Sequence, residues 1–323
     1  MTLDAHAIAD RRRLKRRISL WRLAAIAAVV VGGLALVWVS NDRAGVFGGR
    51  AHIAALDITG LITGSREKVK ILTSIAKSSR AKALILRIDS PGGTTAGSEV
   101  LYEAIRAVAE KKPVVAIMET VAASGGYIVA LAADHLVARG NTITGSIGVI
   151  FQWAEVNEAL ASLGIKVDEI KSGPLKATPS MFSETSPEAR QVTEAMVRDG
   201  YDWFVALVAE RRPFDISTAR ALSDGRIYSG RQAIAARLID EIGGESRARA
   251  WLESEKNLDK GLKIVDWTED GVTDIDFVSR VLNVVAGMVG LSVSDRAILG
   301  ISPQAGRRRL DGMLSLWHPQ LLN

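Results

Sequence analysis

Three apolar runs separated by helix-length segments constrain the fold of this chain most. His52 to Ile58, Ala83 to Ile88 and Pro113 to Met118 each read as a short buried strand. Arg66 to Ser78, between the first two, carries Val69, Ile71, Leu72 and Ile75 on one side of a helix. Thr94 to Lys111, between the second and third, repeats the pattern with Val100, Leu101, Ile105 and Val108. Strands that alternate with helices predict an α/β fold with a parallel sheet, not a sandwich. The same reading predicts short strands at His135 to Ala138, Ile147 to Ile150, Lys166 to Ile170 and Lys263 to Val265. It predicts helices at Glu155 to Leu163, Pro187 to Arg211 with Ser186 as N-cap, Thr218 to Leu222, Ser229 to Leu238 and Glu245 to Leu258.

The third strand runs into Val121-Ala-Ala-Ser-Gly-Gly-Tyr127 and a small-residue helix that follows it. Ser124 sits at the joint. A serine there sees the unpaired N–H groups at the helix start, and Gly125 and Gly126 leave room for another backbone. Acyl transfer needs an exposed hydroxyl beside donors that can hold an oxyanion. The plainer alternative is an N-cap serine followed by two packing glycines. Ala122 stands where a hydrolase elbow would carry glycine.

There are no cysteines, which excludes a cysteine nucleophile, thiolate-bound zinc and disulfides. The histidines at 6, 52, 135 and 318 show no metal-ligand spacing, so no metal is expected. The formal net charge is +5. Residues 1–22 hold seven of the 41 basic and two of the 36 acidic residues, and the rest of the chain balances at 34 of each. The basic excess is therefore local to the tail and does not indicate a nucleic-acid-binding face.

That basic cluster precedes Leu23 to Val39, 17 uncharged residues bracketed by Trp21 and Trp38. The run is at the short end for a spanning helix. Basic residues on its N-terminal side put residues 1–22 in the cytoplasm and the chain after about Asn41 outside. A cleaved signal peptide would need a small-residue site, and Val37-Trp-Val-Ser40 is a poor one. The expected organisation is a basic tail at 1–22, an anchor at 23–39, a linker at 40–50, a main domain at 51–271 and a C-terminal region at 272–323. Phe277 to Val293 is apolar but contains Ser279, Arg280 and Asn283; a packing helix, an interfacial helix and an oligomer contact all fit it.

Asp89-Ser-Pro-Gly-Gly93, Ala123-Ser-Gly-Gly-Tyr127, Thr144-Gly-Ser-Ile-Gly-Val149, Lys171-Ser-Gly-Pro-Leu-Lys176 and Asp224-Gly-Arg-Ile-Tyr-Ser-Gly230 follow one another in this order. Together they resemble the signal peptide peptidases of the protease IV family, membrane-anchored bacterial serine proteases, over roughly Ile53 to Gly244. The length resembles the short form, with one catalytic unit per chain. The resemblance implies a crotonase/Clp-protease-like fold of repeated ββα units. It implies a serine–lysine dyad, with Ser124 as nucleophile and Lys176 as base, and oxyanion donors at Gly92 and Gly125. Ser146 would orient the Lys176 amine. The family assembles into rings in which the serine and lysine of one site come from neighbouring protomers, at the bacterial inner membrane with the catalytic domain on the extracytoplasmic side. Its substrates are remnant signal peptides, and it needs no cofactor.

A lysine base works only as the neutral amine, and its reference pKa is about 10.4, so burial or a cationic neighbour must lower it. The lysine loop is polar as written, so that desolvation must come from folding or from a subunit closing over the site. Lys171, five residues earlier, is the rival base. Two other functions use the same fold: a catalytically silent membrane-tethered scaffold, and crotonase-like acyl-CoA chemistry.

Overall fold

The parallel centre of the sheet consists of β1 (His52–Thr59), β2 (Ala81–Ser90) and β4 (Val114–Ala123). The computed structural model describes residues 50–268 and a short strand at Leu314–Leu316. They fall in a compact unit made of Ala51–Glu269 and Gln304–Asn323, apart from Arg50, which groups with the other unit. The expected anchor at 23–39 and the apolar stretch at 277–293 lie outside the described residues. Among the described residues no helix is long and apolar enough to cross a membrane.

β1 pairs with β2 from His52 opposite Ala81 to Thr59 opposite Asp89. β2 pairs with β4 from Leu84 opposite Val114 to Ile88 opposite Met118, then again at Ser90 opposite Ala122 after an irregularity. β4 carries two neighbours in series. β5 (His135–Ala138) runs along its first half and β6 (Ile143–Gly145) along its end. β9 (Lys263–Asp266) borders β1, β8 (Glu241–Ile242) borders β5, and β7 (Ile227–Ser229) joins β6 antiparallel. The sheet is therefore mixed, not purely parallel.

Strands buried on both faces read as continuous apolar runs, because alternate residues serve different faces. Leu56, Leu84, Leu86, Ala116 and Met118 join one cluster with Ile71, Leu72 and Ile75 of α1 (Arg66–Lys77) and Leu101, Ile105 and Val108 of α2 (Thr95–Ala109). Ile53, Ile85, Val115 and Ile117 face the other way, onto Ala248 and Leu252 of α8 (Glu245–Glu255). Ser65 and Thr94 cap α1 and α2 by accepting the amides of Lys68 and Gly97.

α3 (Gly125–Leu131) is buried along its whole length. α4 (Asn157–Ser162) buries nothing. α5 (Pro187–Arg211), capped by Ser186, brings Phe204, Val205, Leu207 and Val208 to the core. Arg211 at its end donates to the carbonyls of Leu131 and Ala133, at 2.9 and 3.0 Å, which closes the C-terminus of α3. α6 (Ile216–Ala221) and α7 (Gly230–Ala235) start at the side-chain caps Asp215 and Ser229.

Two expected strands are not strands. The pairing expected at 147–150 falls instead on β6, because positive φ at Gly145 and Ser146 (77° and 49°) ends the strand there. Residues 166–170 form no strand: the adjacent Asp168 and Glu169 break the alternation of a half-buried strand, and Ile170 is fully exposed.

Tyr127 is fully buried, and burial pushes its phenol above the ordinary range. Its hydroxyl donates to the Leu238 carbonyl at 2.7 Å. Tyr127→Phe leaves that carbonyl unpaired, at an expected cost of about 1–2 kcal/mol. Urea unfolding checks this; an unchanged midpoint contradicts it.

Candidate active site

β4 delivers the chain to Ser124 fully buried: Ala122 and Ala123 are 0% exposed and Ser124 is 1% exposed. Ser124 then turns the chain into α3 with φ 56° and ψ −118°. A non-glycine residue in this region is strained by about 1–3 kcal/mol, and such residues cluster at functional sites. Its N–H donates to the Gly145 carbonyl at 2.8 Å, and its own carbonyl accepts the amides of Tyr127 and Ile128. Ser124 stands at the N-cap position of α3, but its side chain makes no capping bond to the helix. The geometry is that of a sharp strand-to-helix elbow, reached with alanine at 122. Gly125, the next residue, contributes one of the first-turn amides that lack a partner inside a helix.

The Ser-Pro-Gly-Gly turn is held against this elbow by several contacts. Asp89 Oδ1 accepts the Val121 amide at 3.0 Å, which joins the ends of β2 and β4. Ser90 is fully buried. Its hydroxyl donates to the Gly60 carbonyl at 2.6 Å and accepts the Gly92 amide at 3.1 Å. A Cβ on Gly126 would lie 2.7 Å from the Ser90 carbonyl oxygen, so α3 rests directly on this turn. Gly92 itself has φ 112°.

From Gly92 the chain forms a strand where sequence reasoning expected only a turn: β3 (Gly92–Thr94). Ile62 bridges one edge of it, donating to the Gly92 carbonyl at 2.9 Å and accepting the Thr94 amide at 2.9 Å. A Cβ on Gly93 would meet the Ile62 carbonyl oxygen at 1.8 Å, which is why glycine stands there. The Gly92 amide is thus engaged by Ser90 and the Thr94 amide by Ile62. Strand alternation turns the Gly93 N–H and C=O to the opposite edge. On that edge lies β10 (Leu314–Leu316), antiparallel, with Leu314 opposite Thr94, Ser315 opposite Gly93 and Leu316 opposite Gly92.

Ser146 follows directly on the Gly145 whose carbonyl holds Ser124, and its N–H donates to the Arg226 carbonyl at 2.8 Å. Thr144 Oγ1 donates to the Ala122 carbonyl at 2.7 Å. The fold therefore brings Ser124, Gly125, Gly92 and Ser146 into one neighbourhood. The sequence reading missed Ser90 and Ile62, which set the Gly-Gly strand. Ser90 was visible inside the quoted motif; Ile62 carried no signal of its own.

The two lysines belong to an arm spanning 151–185. Trp153 Nε1 and the Glu155 carboxylate bind Thr185 Oγ1 at 3.0 and 2.6 Å, which closes the base of the arm. The Thr185 and Trp153 hydrogen bonds hold the Glu155 carboxyl below the usual range. Lys176 is exposed, and its backbone N–H donates to the Gly173 carbonyl. Lys171 Nζ pairs with Glu169 at 2.6 Å. Leu163, Ile165, Val167, Ile170, Met181 and Phe182 of this arm are also exposed.

A cleft of about 740 Å³ begins at Ile147 and runs between residues 147–153 and α5. Val149, Ile150, Phe151, Trp153, Val197 and Tyr201 supply its apolar walls.

The model of peptidase family S49 matches residues 106–259. A Synechocystis sp. protein that carries a provisional protease name is 36% identical over 68% of this chain and 80% of its own length. The chloroplastic serine protease SPPA of Arabidopsis thaliana is 30% identical over 84% of this chain and 42% of its own. Protease 4 of Haemophilus influenzae is 28% identical over 72% of this chain and 39% of its own, so the chain spans less than half the length of those two relatives. Among solved structures, a mutant of the 1510-N membrane-bound stomatin-specific protease aligns over 68% of this chain and 99% of its own, with 13% identity and a TM-score of 0.44.

The contact between α3 and the Ser90 turn gives a direct test. Gly126→Ala forces the two backbones apart and is expected to cost about 1–3 kcal/mol. Gly173→Ala on the arm, where an added Cβ meets nothing within 4 Å, is expected to change stability by less than about 0.5 kcal/mol. Denaturant unfolding of both variants checks this; equal effects contradict the packing described.

Proposed function

Because this chain belongs to peptidase family S49, a family of serine-type peptidases, we propose that Ser124 is the nucleophile and Lys176 the general base of a membrane-anchored endopeptidase. The strained backbone of Ser124 at the β4–α3 joint carries this reading. It presents the side chain away from the helix cap, beside the first-turn amides of α3 and the Gly92–Gly93 turn.

The reaction is ordinary acyl transfer. Neutral Lys176 Nζ takes the Ser124 proton as Oγ attacks the scissile carbonyl. The oxyanion is held by the amide of Gly125 and by an amide of the Gly92–Gly93 turn. In the conformation described the Gly92 N–H is engaged by Ser90 Oγ; as the oxyanion donor it exchanges that partner for the substrate oxygen. The lysine then gives its proton to the departing amine, and water repeats the sequence to release the acyl group. Ser146 positions the lysine amine.

Lys176 is exposed in a single chain, whereas a lysine that serves as general base has to be desolvated. The base needs a cover, and the arm that carries it is rich in exposed apolar side chains. Both facts support a homo-oligomeric ring in which one protomer's arm packs on its neighbour and completes the neighbour's site. The apolar cleft beside Ser146 fits extended, apolar peptides. With the basic tail and uncharged run at the N-terminus, this supports remnant signal peptides as substrates and an extracytoplasmic site on the inner membrane. The branching of β4 onto β5 and β6 suits the crotonase/Clp-type fold that the motifs imply.

The test is hydrolysis of an apolar fluorogenic peptide. Ser124→Ala and Lys176→Ala each are expected to fall at least about 10³-fold, the scale of losing a nucleophile or base. Mixing the two inactive variants under subunit exchange is expected to restore part of the activity, since some sites then receive an intact serine and an intact lysine from different chains. Full activity in Lys176→Ala contradicts the dyad. No recovery on mixing, with exchange demonstrated, contradicts the shared site.

A further inference from the structure

We infer that Glu155, Thr185 and Trp153 form a clasp that positions Lys176, and that they act on catalysis only through the chain that supplies the lysine. This deepens the proposed peptidase reading and rests on it.

The arm has no core of its own to place the lysine. Among residues 151–185 only Ser180 is buried, and α4 buries nothing. Near the lysines the bonds are local. The Lys176 N–H donates to the Gly173 carbonyl, the Thr178 hydroxyl donates to the Leu175 carbonyl at 3.1 Å, and Lys171 pairs with Glu169. Such bonds shape the loop but leave its direction open. The bonds that join the outgoing run to the returning run lie at the base. The Val156 N–H donates to the Met181 carbonyl at 2.8 Å. Glu155 Oε1 accepts the Thr185 hydroxyl at 2.6 Å, the Thr185 amide at 3.2 Å and the Trp153 indole N–H at 3.4 Å. The same indole N–H reaches Thr185 Oγ1 at 3.0 Å. These bonds, that of the Thr185 hydroxyl first, hold the Glu155 carboxyl below the usual range. The clasp therefore keeps an ionised acceptor at neutral pH, the stronger kind of hydrogen-bond partner.

The clasp is itself fixed to the body of the domain. Ser186, the residue after Thr185, caps α5 by accepting the Ala189 amide at 3.1 Å, and α5 carries Phe204, Val205, Leu207 and Val208 into the core. The Arg190 guanidinium lies over the Trp153 ring, 5.7 Å from its centroid. Trp153 also lines the cleft that begins at Ile147, next to Ser146. Three side chains at the base thus set the direction in which a loop without a core leaves the domain. Lys176 has to come within hydrogen-bond reach of a serine hydroxyl. A displacement of about 1 Å at a reacting group can lower the rate on the order of a hundredfold. A small change of angle at the base becomes a larger displacement at the lysine. None of the three residues touches the reacting atoms, so they are positioning residues. Where sites are shared between protomers, the clasp of one chain aims its lysine at the neighbour's serine and leaves the use of its own serine unchanged.

The test uses the full chain and the apolar fluorogenic peptide. Trp153 also lines the cleft, so the variants are Glu155→Ala and Thr185→Val, neither of which removes a buried side chain. Each is expected to lower kcat by on the order of tenfold to a hundredfold, with KM little changed. Glu155→Gln keeps a carbonyl acceptor and is expected to retain most of the activity. The decisive readout is a mixture of inactive chains under subunit exchange. Glu155→Ala added to the Ser124→Ala chain, which supplies the lysine, is expected to lower the recovered activity by the same factor as in wild type. Added to the Lys176→Ala chain, which supplies the serine, it is expected to leave the recovered activity unchanged. Equal losses from both placements, or no loss from either, overturn the inference. If wild type cleaves but the parent mixture recovers nothing, with exchange demonstrated, the shared site fails and kcat decides the clasp. A fall in Glu155→Ala that Glu155→Gln avoids then supports it, and an unchanged kcat overturns it. If wild type hydrolyses nothing, the peptidase reading falls and the inference falls with it.

Discussion

The backbone of Ser124 is the constraint on which the rest of the site depends. A non-glycine residue at φ 56° and ψ −118° persists only where its surroundings over-determine it. Here the determination comes from three directions. The Gly145 carbonyl holds the serine amide from β6, and the amides of Tyr127 and Ile128 hold its carbonyl from α3. Burial of all seven residues of α3 fixes the helix behind it. Loosening any of these would let the chain relax toward an ordinary cap, and the hydroxyl would turn back onto the helix.

The same logic explains why glycines crowd this region. Gly126 lets α3 approach the Ser90 carbonyl, and Gly93 lets β3 approach Ile62. Each close approach places a backbone amide where a side chain would otherwise stand. A site that recognises peptide backbone and stabilises a carbonyl oxygen needs amides at its surface, and small residues are how a chain exposes them. The Arg87 cluster, by contrast, works at a distance. Arg87 gathers Asp57, Asp266 and Glu245 on the opposite side of the sheet, and those contacts raise its already high pKa, but they tie β1, β2, β9 and α8 together and take no part in the site.

Much of this was legible in the sequence where physics is local. The apolar runs of β1, β2 and β4, the helices between them, and caps such as Ser186 follow from spacing and side-chain chemistry. Ser124 was visible at its joint, and Gly92, Gly125 and Ser146 at their motif positions. What was not legible depends on partners far along the chain. β3 reads as a plain Pro-Gly turn because its strand character comes from Ile62 and from residues 314–316. β6 was placed a few residues late because the residues that end it, Gly145 and Ser146, look like loop. The stretch 166–170 reads as a strand from Val167 and Ile170, but both are exposed and it joins no sheet edge. Lys176 gains its assignment from motif resemblance alone, since its surroundings in one chain are solvent.

Chemical activation of Ser124 is the central claim, and covalent trapping measures it most directly. The full-length protein would be treated with a fluorophosphonate and its adducts located by peptide mass spectrometry. One adduct is expected, on Ser124, lost in Lys176→Ala as well as in Ser124→Ala. A folded protein that takes no adduct, or takes it on another serine, would contradict it.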